Sequence, residues 1–183
     1  MDIVKNFQSH KVIKYIFIAF IGSILLTISA KIKIPFYPVP MTMQTFVVLM
    51  LGVTLGSKLG TLAVIFYLLE GISGLPVFSN TPEKGIGIVY FTGPTMGYLI
   101  GFMFASYISG FFKMNTNIPM IILKLAISVS IIYLMGIFWL GNLIGWDKPI
   151  ISLGVKPFLL AELLKISLLA FIVKYLIKVR KFI

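Results

Sequence analysis

MTMQTFVVLMLGVTLGSKLGTLAVIFYLLEGISGL, at residues 41–75, is an apolar run too long for one membrane span, which takes about 20 residues. Its middle, GSKLG at residues 56–60, contributes a charge and glycines that loosen a helix. We therefore expect a tight hairpin of two short helices, at about residues 41–56 and 59–75.

The rest of the chain is similarly apolar. Hydrophobic residues make up 59% of its 183 residues, against roughly 45–50% in soluble domains. Outside the hairpin they fall in blocks at about residues 12–30, 93–112, 119–141 and 155–177. Only helices and closed barrels satisfy their backbone in hydrocarbon, and the alternating pattern of a barrel is missing from the sequence, so we expect no strands. The sequence predicts an all-α integral membrane bundle of six transmembrane helices, in a single domain over residues 1–183.

Basic residues predict the orientation of the bundle, because lysine and arginine are enriched on the cytoplasmic side of a membrane. If both termini are inside, the inner side holds Lys5, Lys11, Lys14, Lys58, Lys113, Lys124, Lys174, Lys178, Arg180 and Lys181. The outer side then holds only Lys31, Lys33, Lys84, Lys148 and Lys156. We expect cytoplasmic N and C termini. The net charge of +11 is explained by this topology and by attraction to anionic lipid, without a nucleic-acid partner.

The side chains that common catalytic sites need are missing from the sequence. It has no cysteine, and its one histidine, His10, lies in the N-terminal segment. GISG at residues 71–74 matches the Gly-x-Ser-Gly string of intramembrane serine proteases, but those enzymes use a membrane histidine as base. The acidic residues are scattered, at Asp2, Glu70, Glu83, Asp147 and Glu162. We predict a protein that is not an enzyme and has no metal and no cofactor.

Two ionisable residues interrupt the last apolar block, PFLLAELLKISLLAF at residues 157–171. Glu162 and Lys165 lie three residues apart and so share one face of a helix. Charges within the apolar part of a membrane helix are unfavourable by a few kcal/mol or more unless they pair or face a water-filled cavity. One interpretation is a mutual salt bridge that holds the bundle together. The other is a pocket open to the outside, in which the carboxylate accepts N–H donors and the ammonium donates to a carbonyl or an anion of a polar ligand.

Further candidates for the wall of such a pocket lie in the outer connections and at the helix ends beside them. Gln44 and Asn80 offer amide contacts, and Thr42 and Thr92 offer hydroxyl groups. Aromatic residues suited to an apolar part of the ligand are Phe36, Tyr37, Phe78, Tyr90 and Phe91.

Small residues recur at every fourth position in two series, which lets a neighbouring helix approach closely. The series are Gly52, Gly56 and Gly60, and Gly93, Gly97, Gly101, Ala105 and Ser109. For both series we expect internal packing. A shorter pair on the first helix, Ala19 and Ser23, could receive an outside partner in the same way.

Several of these segments together resemble the BioY family, the biotin-binding S components of energy-coupling factor (ECF) vitamin transporters. The resemblance rests on IPFYPVPMTMQT at the first loop, GLPVF at residues 74–78, GPTMGY at residues 93–98 and KPFLLAELLK at residues 156–165. The matches follow the family's order and spacing over most of residues 12–175.

The resemblance implies a six-helix S component of the bacterial cell (plasma) membrane that captures biotin from outside and hydrolyses nothing. Its partners would be a transmembrane coupling subunit and two ABC ATPase subunits. By motif, Glu162 takes the place of the family's usual Asp and Lys165 that of its Lys, and both would bind the polar head of biotin. Asn80 falls where the family builds pocket wall, and the proline-rich first loop matches its lid. Ala19 and Ser23 correspond to the family's small-x3-small coupling site.

The last element departs from the family pattern. The family has Pro-Gly-Asp before Leu-Leu-Lys, whereas this chain has Leu160, Ala161 and Glu162. The longer carboxylate reaches about 1.5 Å further, which leaves open an analogue such as dethiobiotin, or another small vitamin-like solute. A carrier for another solute, and a membrane scaffold or enzyme without such a ligand, therefore stay as alternatives.

Overall fold

The structure is a computed structural model that describes residues 2–34, 41–83 and 85–180; the side chains of residues 2–10 and of Ile34 are not described. The elements are α1 (Asp2–Lys31), β1 (Lys33–Ile34), β2 (Met41–Thr42), α2 (Gln44–Leu55), α3 (Ser57–Ile72), α4 (Ile88–Phe91), α5 (Met96–Phe111), α6 (Ile118–Ile144), α7 (Ile150–Gly154), a 3-10 turn (Lys156–Phe158) and α8 (Leu159–Val179). The prediction of an all-α bundle is confirmed. Six of the described helices are long, and α4 and α7 are short helices within connections.

The expectation of no strands was wrong at one place. β1 and β2 form a two-residue antiparallel ladder, in which Lys33 pairs with Thr42 and Ile34 with Met41. The ladder lies in the connection between α1 and α2. The constraint that excludes open strands applies inside hydrocarbon and does not reach this connection.

The helical hairpin predicted from GSKLG is confirmed. α2 ends at Leu55 and α3 begins at Ser57, so a single residue, Gly56, makes the turn with a φ of 84°. This left-handed backbone conformation favours glycine. The two helices then run back along each other, with the Gln44 amide bonded to the Tyr67 hydroxyl at 2.7 Å.

Several helices are shorter than the expected spans of about 20 residues. Within the described residues, two helical segments are long and apolar enough to cross a membrane, Lys11–Lys31 and Ile118–Ile144. α2 and α5 are apolar but have only 12 and 16 residues. At about 1.5 Å per residue, α2 extends roughly 18 Å, well below the roughly 30 Å of a hydrocarbon core.

The predicted internal packing of the small-residue series is confirmed where α5 meets its neighbours. A Cβ on Gly101 would lie 2.7 Å from the Ile132 Cα of α6. On the side towards α2, the Ser109 hydroxyl donates to the Leu49 carbonyl at 3.3 Å. The absence of large side chains therefore brings the backbones of α2, α5 and α6 close together.

Ala19 and Ser23 do not form an outward-facing partner site in this structure, which corrects the prediction. Both are 0% exposed, because α1 packs on α3 along this face. Ser23 Oγ lies 2.7 Å from Glu70 Oε1 of α3. The exposed side of α1 instead carries large apolar residues such as Phe17 and Ile24. The small residues do permit a close helix approach, but the approaching helix belongs to the chain itself.

Candidate functional site

A cavity of about 470 Å³ lies at the end of the bundle where α1 ends and α8 begins. Segments distant in the sequence form its wall: β2, the start of α2, the turn before α4, α4 itself, the first turns of α5, the second half of α6, α7, the 3-10 turn and the first turns of α8. Its polar wall includes Thr42, Gln44, Thr45, Asn80, Thr95, Glu162 and Lys165. The volume is in the range of about 300–1,000 Å³ that is usual for small-molecule sites.

Glu162 and Lys165 form an ion pair on this wall. Lys165 Nζ lies 2.8 Å from Glu162 Oε1, and each residue is 5% exposed. Thr45, from the first turn of α2, joins them: its hydroxyl donates to Glu162 Oε1 at 2.7 Å and accepts from Lys165 Nζ at 3.0 Å. The three side chains connect α2 to α8.

The pair is nevertheless incomplete. Glu162 Oε2 is buried and accepts no hydrogen bond of standard geometry from the described residues, although the Tyr133 hydroxyl lies close enough to interact with the same carboxylate. The lysine ammonium has three donors, of which two are used in the hydrogen bonds to Glu162 Oε1 and Thr45 Oγ1. Leaving a buried polar atom unsatisfied is unfavourable by about 1–3 kcal/mol or more for a charged group. The unsatisfied carboxylate oxygen beside the cavity can therefore accept a hydrogen bond from a ligand.

Thr42 and Gln44 line the cavity from the other side and are held by a hydrogen-bonded chain. The Thr42 hydroxyl donates to Gln44 Oε1 at 3.1 Å, and Gln44 Nε2 donates to the Tyr67 hydroxyl at 2.7 Å. Tyr67 in turn donates to the Val77 carbonyl at 3.3 Å. The Gln44 amide is therefore fixed, with one remaining N–H and one remaining lone pair for a ligand.

Asn80 reaches the cavity from a turn that Lys31 organises. Asn80 has a φ of 58°, a left-handed conformation that asparagine adopts more readily than most residues. Lys31 Nζ, at the end of α1, donates to the Phe78 carbonyl at 2.8 Å, to the Thr81 carbonyl at 3.2 Å and to Thr81 Oγ1 at 2.9 Å. These contacts fix both sides of Asn80 and hold its side chain at the wall.

The predicted aromatic wall is only partly present. Tyr90 lines the cavity, and its hydroxyl donates to the Ser79 carbonyl at 2.8 Å. Phe78 lies behind it, stacked on Tyr90 with ring centroids 4.8 Å apart and in edge contact with Phe91 at 5.4 Å. Phe78 and Phe91 are not part of the cavity wall, because they fill the core beneath this connection.

Thr92 also lies away from the cavity wall, which corrects its prediction as a ligand contact. Its side chain is exposed, and its hydroxyl donates to the Val89 carbonyl at 2.8 Å, closing the last turn of α4. Phe36 and Tyr37, predicted in the proline-rich loop, lie outside the described residues.

Other wall residues were not predicted from the sequence. Tyr98, Tyr133 and Phe158 form an aromatic side. The Tyr98 and Tyr133 rings are in edge contact with centroids 6.1 Å apart, and the Tyr133 and Phe158 rings are tilted with centroids 6.3 Å apart. Tyr98 also donates to the Gly154 carbonyl at 2.9 Å, which ties α7 to α5. Thr45 and Tyr98 lie within the segments MTMQT and GPTMGY. Their position in these motifs is the sequence signal that could have identified them as wall residues.

The wall offers hydrogen bonds, one ion pair and aromatic contacts. Within the described ranges, no three His, Cys, Asp or Glu side chains come together as ligands for a metal ion. The arrangement is therefore suited to binding a small polar molecule that also has an apolar part.

Comparisons with known proteins place this chain among transporters. It is 38% identical over 149 residues to the biotin transporter BioY of Thermotoga maritima, which covers 81% of this chain and 86% of the relative. It is 36% identical over 141 residues to the probable biotin transporter BioY of Pyrococcus horikoshii, a match that covers 77% of this chain and 82% of the relative. A crystal structure of the S component for biotin from an ECF-type ABC transporter matches with a TM-score of 0.74 and 25% identity, over 92% of this chain and 93% of the other. Since the sequence model of the BioY family matches residues 4–182, the chain belongs to the BioY family and is a membrane protein.

Proposed function

We propose that this chain is the biotin-binding S component of an ECF-type transporter and mediates biotin uptake. The observation that carries the proposal is the incomplete ion pair of Glu162 and Lys165 on the wall of the cavity. It offers an acceptor and a donor side by side in a site shielded from water. The similarity to proteins named biotin transporters supports the same ligand.

Biotin has the complementary chemistry. Its ureido group carries two N–H donors and a carbonyl acceptor, so one N–H donates to Glu162 Oε2 while Lys165 donates to an oxygen of the ligand. The sulfur-containing ring that is fused to the ureido ring and the aliphatic chain are apolar, and Tyr98, Tyr133 and Phe158 provide aromatic surface to cover them. Thr42, Gln44, Asn80 and Tyr90 complete the proposed binding site. We assign Phe78 and Phe91 a supporting role behind Tyr90.

The proposed setting is a multi-pass protein of the bacterial cell membrane with both termini in the cytoplasm. The cavity would then open to the outside, where the ligand is captured. The sequence contains no Gly-x4-Gly-Lys-Ser/Thr motif for nucleotide phosphates, so we assign ATP hydrolysis to two separate ABC ATPases, joined to this chain through a transmembrane coupling subunit. Since Ala19 and Ser23 are buried against α3, we do not assign that contact to them.

A titration of the detergent-purified chain with biotin, riboflavin and thiamine tests the proposed function. We expect saturable binding of biotin, measured by calorimetry, and none of the other two. Binding of another vitamin in place of biotin would favour the alternative of a carrier for another small solute. The replacement of the family's usual Asp by Glu162 is compatible with such a change of ligand. Binding of none of the three would contradict a vitamin-binding role.

A second prediction concerns the turn that presents Asn80. Lys31→Gln removes the ammonium that holds the Phe78 and Thr81 carbonyls, so the turn loses its anchor and Asn80 its fixed position. We expect biotin affinity to fall by roughly tenfold, the equivalent of one charged hydrogen bond. Lys33→Gln is the control, because it removes the same charge two residues away. Equal affinities of the two variants would show that Lys31 does not position the site.

A further inference from the structure

A second cavity lies at the opposite end of the bundle, where α2 turns into α3. Its volume is about 520 Å³. The turn residues Gly56 and Ser57, together with Tyr15 of α1, form part of its wall. This end also brings the first residue after α8, Arg180, against the hairpin. The cavity is separate from the proposed biotin site, and the inference does not rest on the proposed function.

Two cationic side chains line this cavity, Lys58 and Arg180, and none of the described residues that line it is acidic. Arg180 is exposed, and its Nη1 donates to the Gly110 carbonyl at 3.3 Å. The guanidinium also lies against the turn, since a Cβ on Gly56 would be 2.9 Å from Nη2. A guanidinium has five N–H donors in a fixed fork that matches the geometry of a phosphate. The charge of the cavity therefore selects an anion.

Three leucine side chains form the apolar part of the wall. Leu55 ends α2, while Leu59 and Leu62 lie on the first turns of α3. A free inorganic anion gains nothing from contact with leucine side chains, whereas the acyl chain of an amphiphile can pack against them by van der Waals contact without leaving an apolar environment. The combination of a cationic edge and a leucine wall thus fits a molecule with an anionic head and a hydrocarbon chain.

We propose that this cavity binds an anionic phospholipid from the leaflet that surrounds this end of the protein. The phosphate of the headgroup lies between Arg180 and Lys58, and an acyl chain lies along Leu55, Leu59 and Leu62. Basic pockets between transmembrane helices recognise anionic headgroups in this way. Phosphatidylglycerol is a suitable probe, because its headgroup has a net negative charge and phosphatidylcholine, with the same phosphate and acyl chains, has none.

Native mass spectrometry of the detergent-purified full chain tests the proposal, with dimyristoyl phosphatidylglycerol and dimyristoyl phosphatidylcholine added in equal amounts. We expect the wild-type chain to retain the anionic lipid with at least a fivefold preference. Lys58→Gln/Arg180→Gln should abolish the preference. The matched control is Lys174→Gln/Lys178→Gln, which removes the same charge from exposed positions near the end of α8 and should keep it. If Arg180 is needed for folding, Lys58→Gln alone replaces the double variant, because the Lys58 side chain is exposed. We expect this single variant to show a weaker but still measurable loss of the lipid preference.

Three results would overturn the proposal. Equal retention of the two lipids by the wild-type chain would show that the cavity does not select charge. An equal loss in both double variants would assign the preference to the diffuse basic surface. Displacement of the anionic lipid by millimolar inorganic phosphate would assign the site to a free anion. A fourth result, unchanged lipid retention in Lys58→Gln/Arg180→Gln together with lost assembly with the coupling subunit, would make the cavity a protein docking site instead.

Discussion

Lys165→Met should weaken biotin binding by roughly 1.5–3 kcal/mol or more, which is about 10- to 150-fold in the dissociation constant. The variant removes the proposed donor to the ligand. It also leaves the Glu162 carboxylate, itself 5% exposed, without its ion-pair partner. Breaking a buried pair on one side typically destabilises a protein by about 3–5 kcal/mol. Loss of binding in this single variant therefore has two explanations, local damage and loss of a ligand contact.

The double variant Glu162→Gln/Lys165→Met separates these explanations. Because neither residue is charged in it, no buried charge is left unpaired, and replacing a buried pair by neutral side chains is often neutral or stabilising. We expect its melting temperature in detergent to return close to that of the wild type, while biotin binding stays lost by calorimetry. If the double variant instead regains wild-type affinity, the pair is only a structural link between α2 and α8 and the proposed site is wrong.

The pair could be located from the sequence because charges are rare in an apolar helix. Glu162 and Lys165 stand out against leucine and isoleucine, and a spacing of three residues fixes their common face. The hairpin was predictable for a similar reason, since GSKLG interrupts an otherwise continuous run. In both cases one local feature contains the whole signal.

The aromatic side of the cavity could not be found in this way. Tyr98, Tyr133 and Phe158 come from three elements of the chain, and their meeting depends on how α5, α6 and the start of α8 pack. A single tyrosine in an apolar block has the same sequence signature whether it anchors the helix at the membrane interface or lines a cavity. Phe78 and Phe91 were misplaced for the converse reason, because an aromatic residue in a connection can equally fill the core below it.

The error at Ala19 and Ser23 has a different physical origin. Small residues four apart indicate that another helix approaches closely, but they do not identify that helix. In a soluble protein, polarity would distinguish an inner face from an outer one. On α1 both faces are apolar, since one contacts α3 and the other is the exposed face with Phe17 and Ile24, so the sequence pattern left the partner undetermined.

Ser23→Leu should therefore destabilise the isolated chain strongly. The new side chain has no space between α1 and α3, and overpacking typically costs about 1–3 kcal/mol. The substitution also removes the hydroxyl that lies 2.7 Å from Glu70 Oε1, and a hydrogen bond to a charged group contributes about 1.5–3 kcal/mol. We expect the melting temperature in detergent to fall by roughly 5 °C or more.

Ser130→Leu is a matched control for this prediction. Ser130 is also a serine within a long apolar helix, α6, but its side chain is exposed and its hydroxyl donates to the Ile127 carbonyl of the preceding turn. A leucine at this position contacts lipid or detergent, so this variant should have the same melting temperature as the wild type. If Ser23→Leu also melts at the wild-type temperature and instead loses binding of the proposed coupling subunit, then α1 separates from α3 when that subunit binds. The face of α1 with Ala19 and Ser23 would then contact α3 in the isolated chain and the proposed coupling subunit in the assembled transporter.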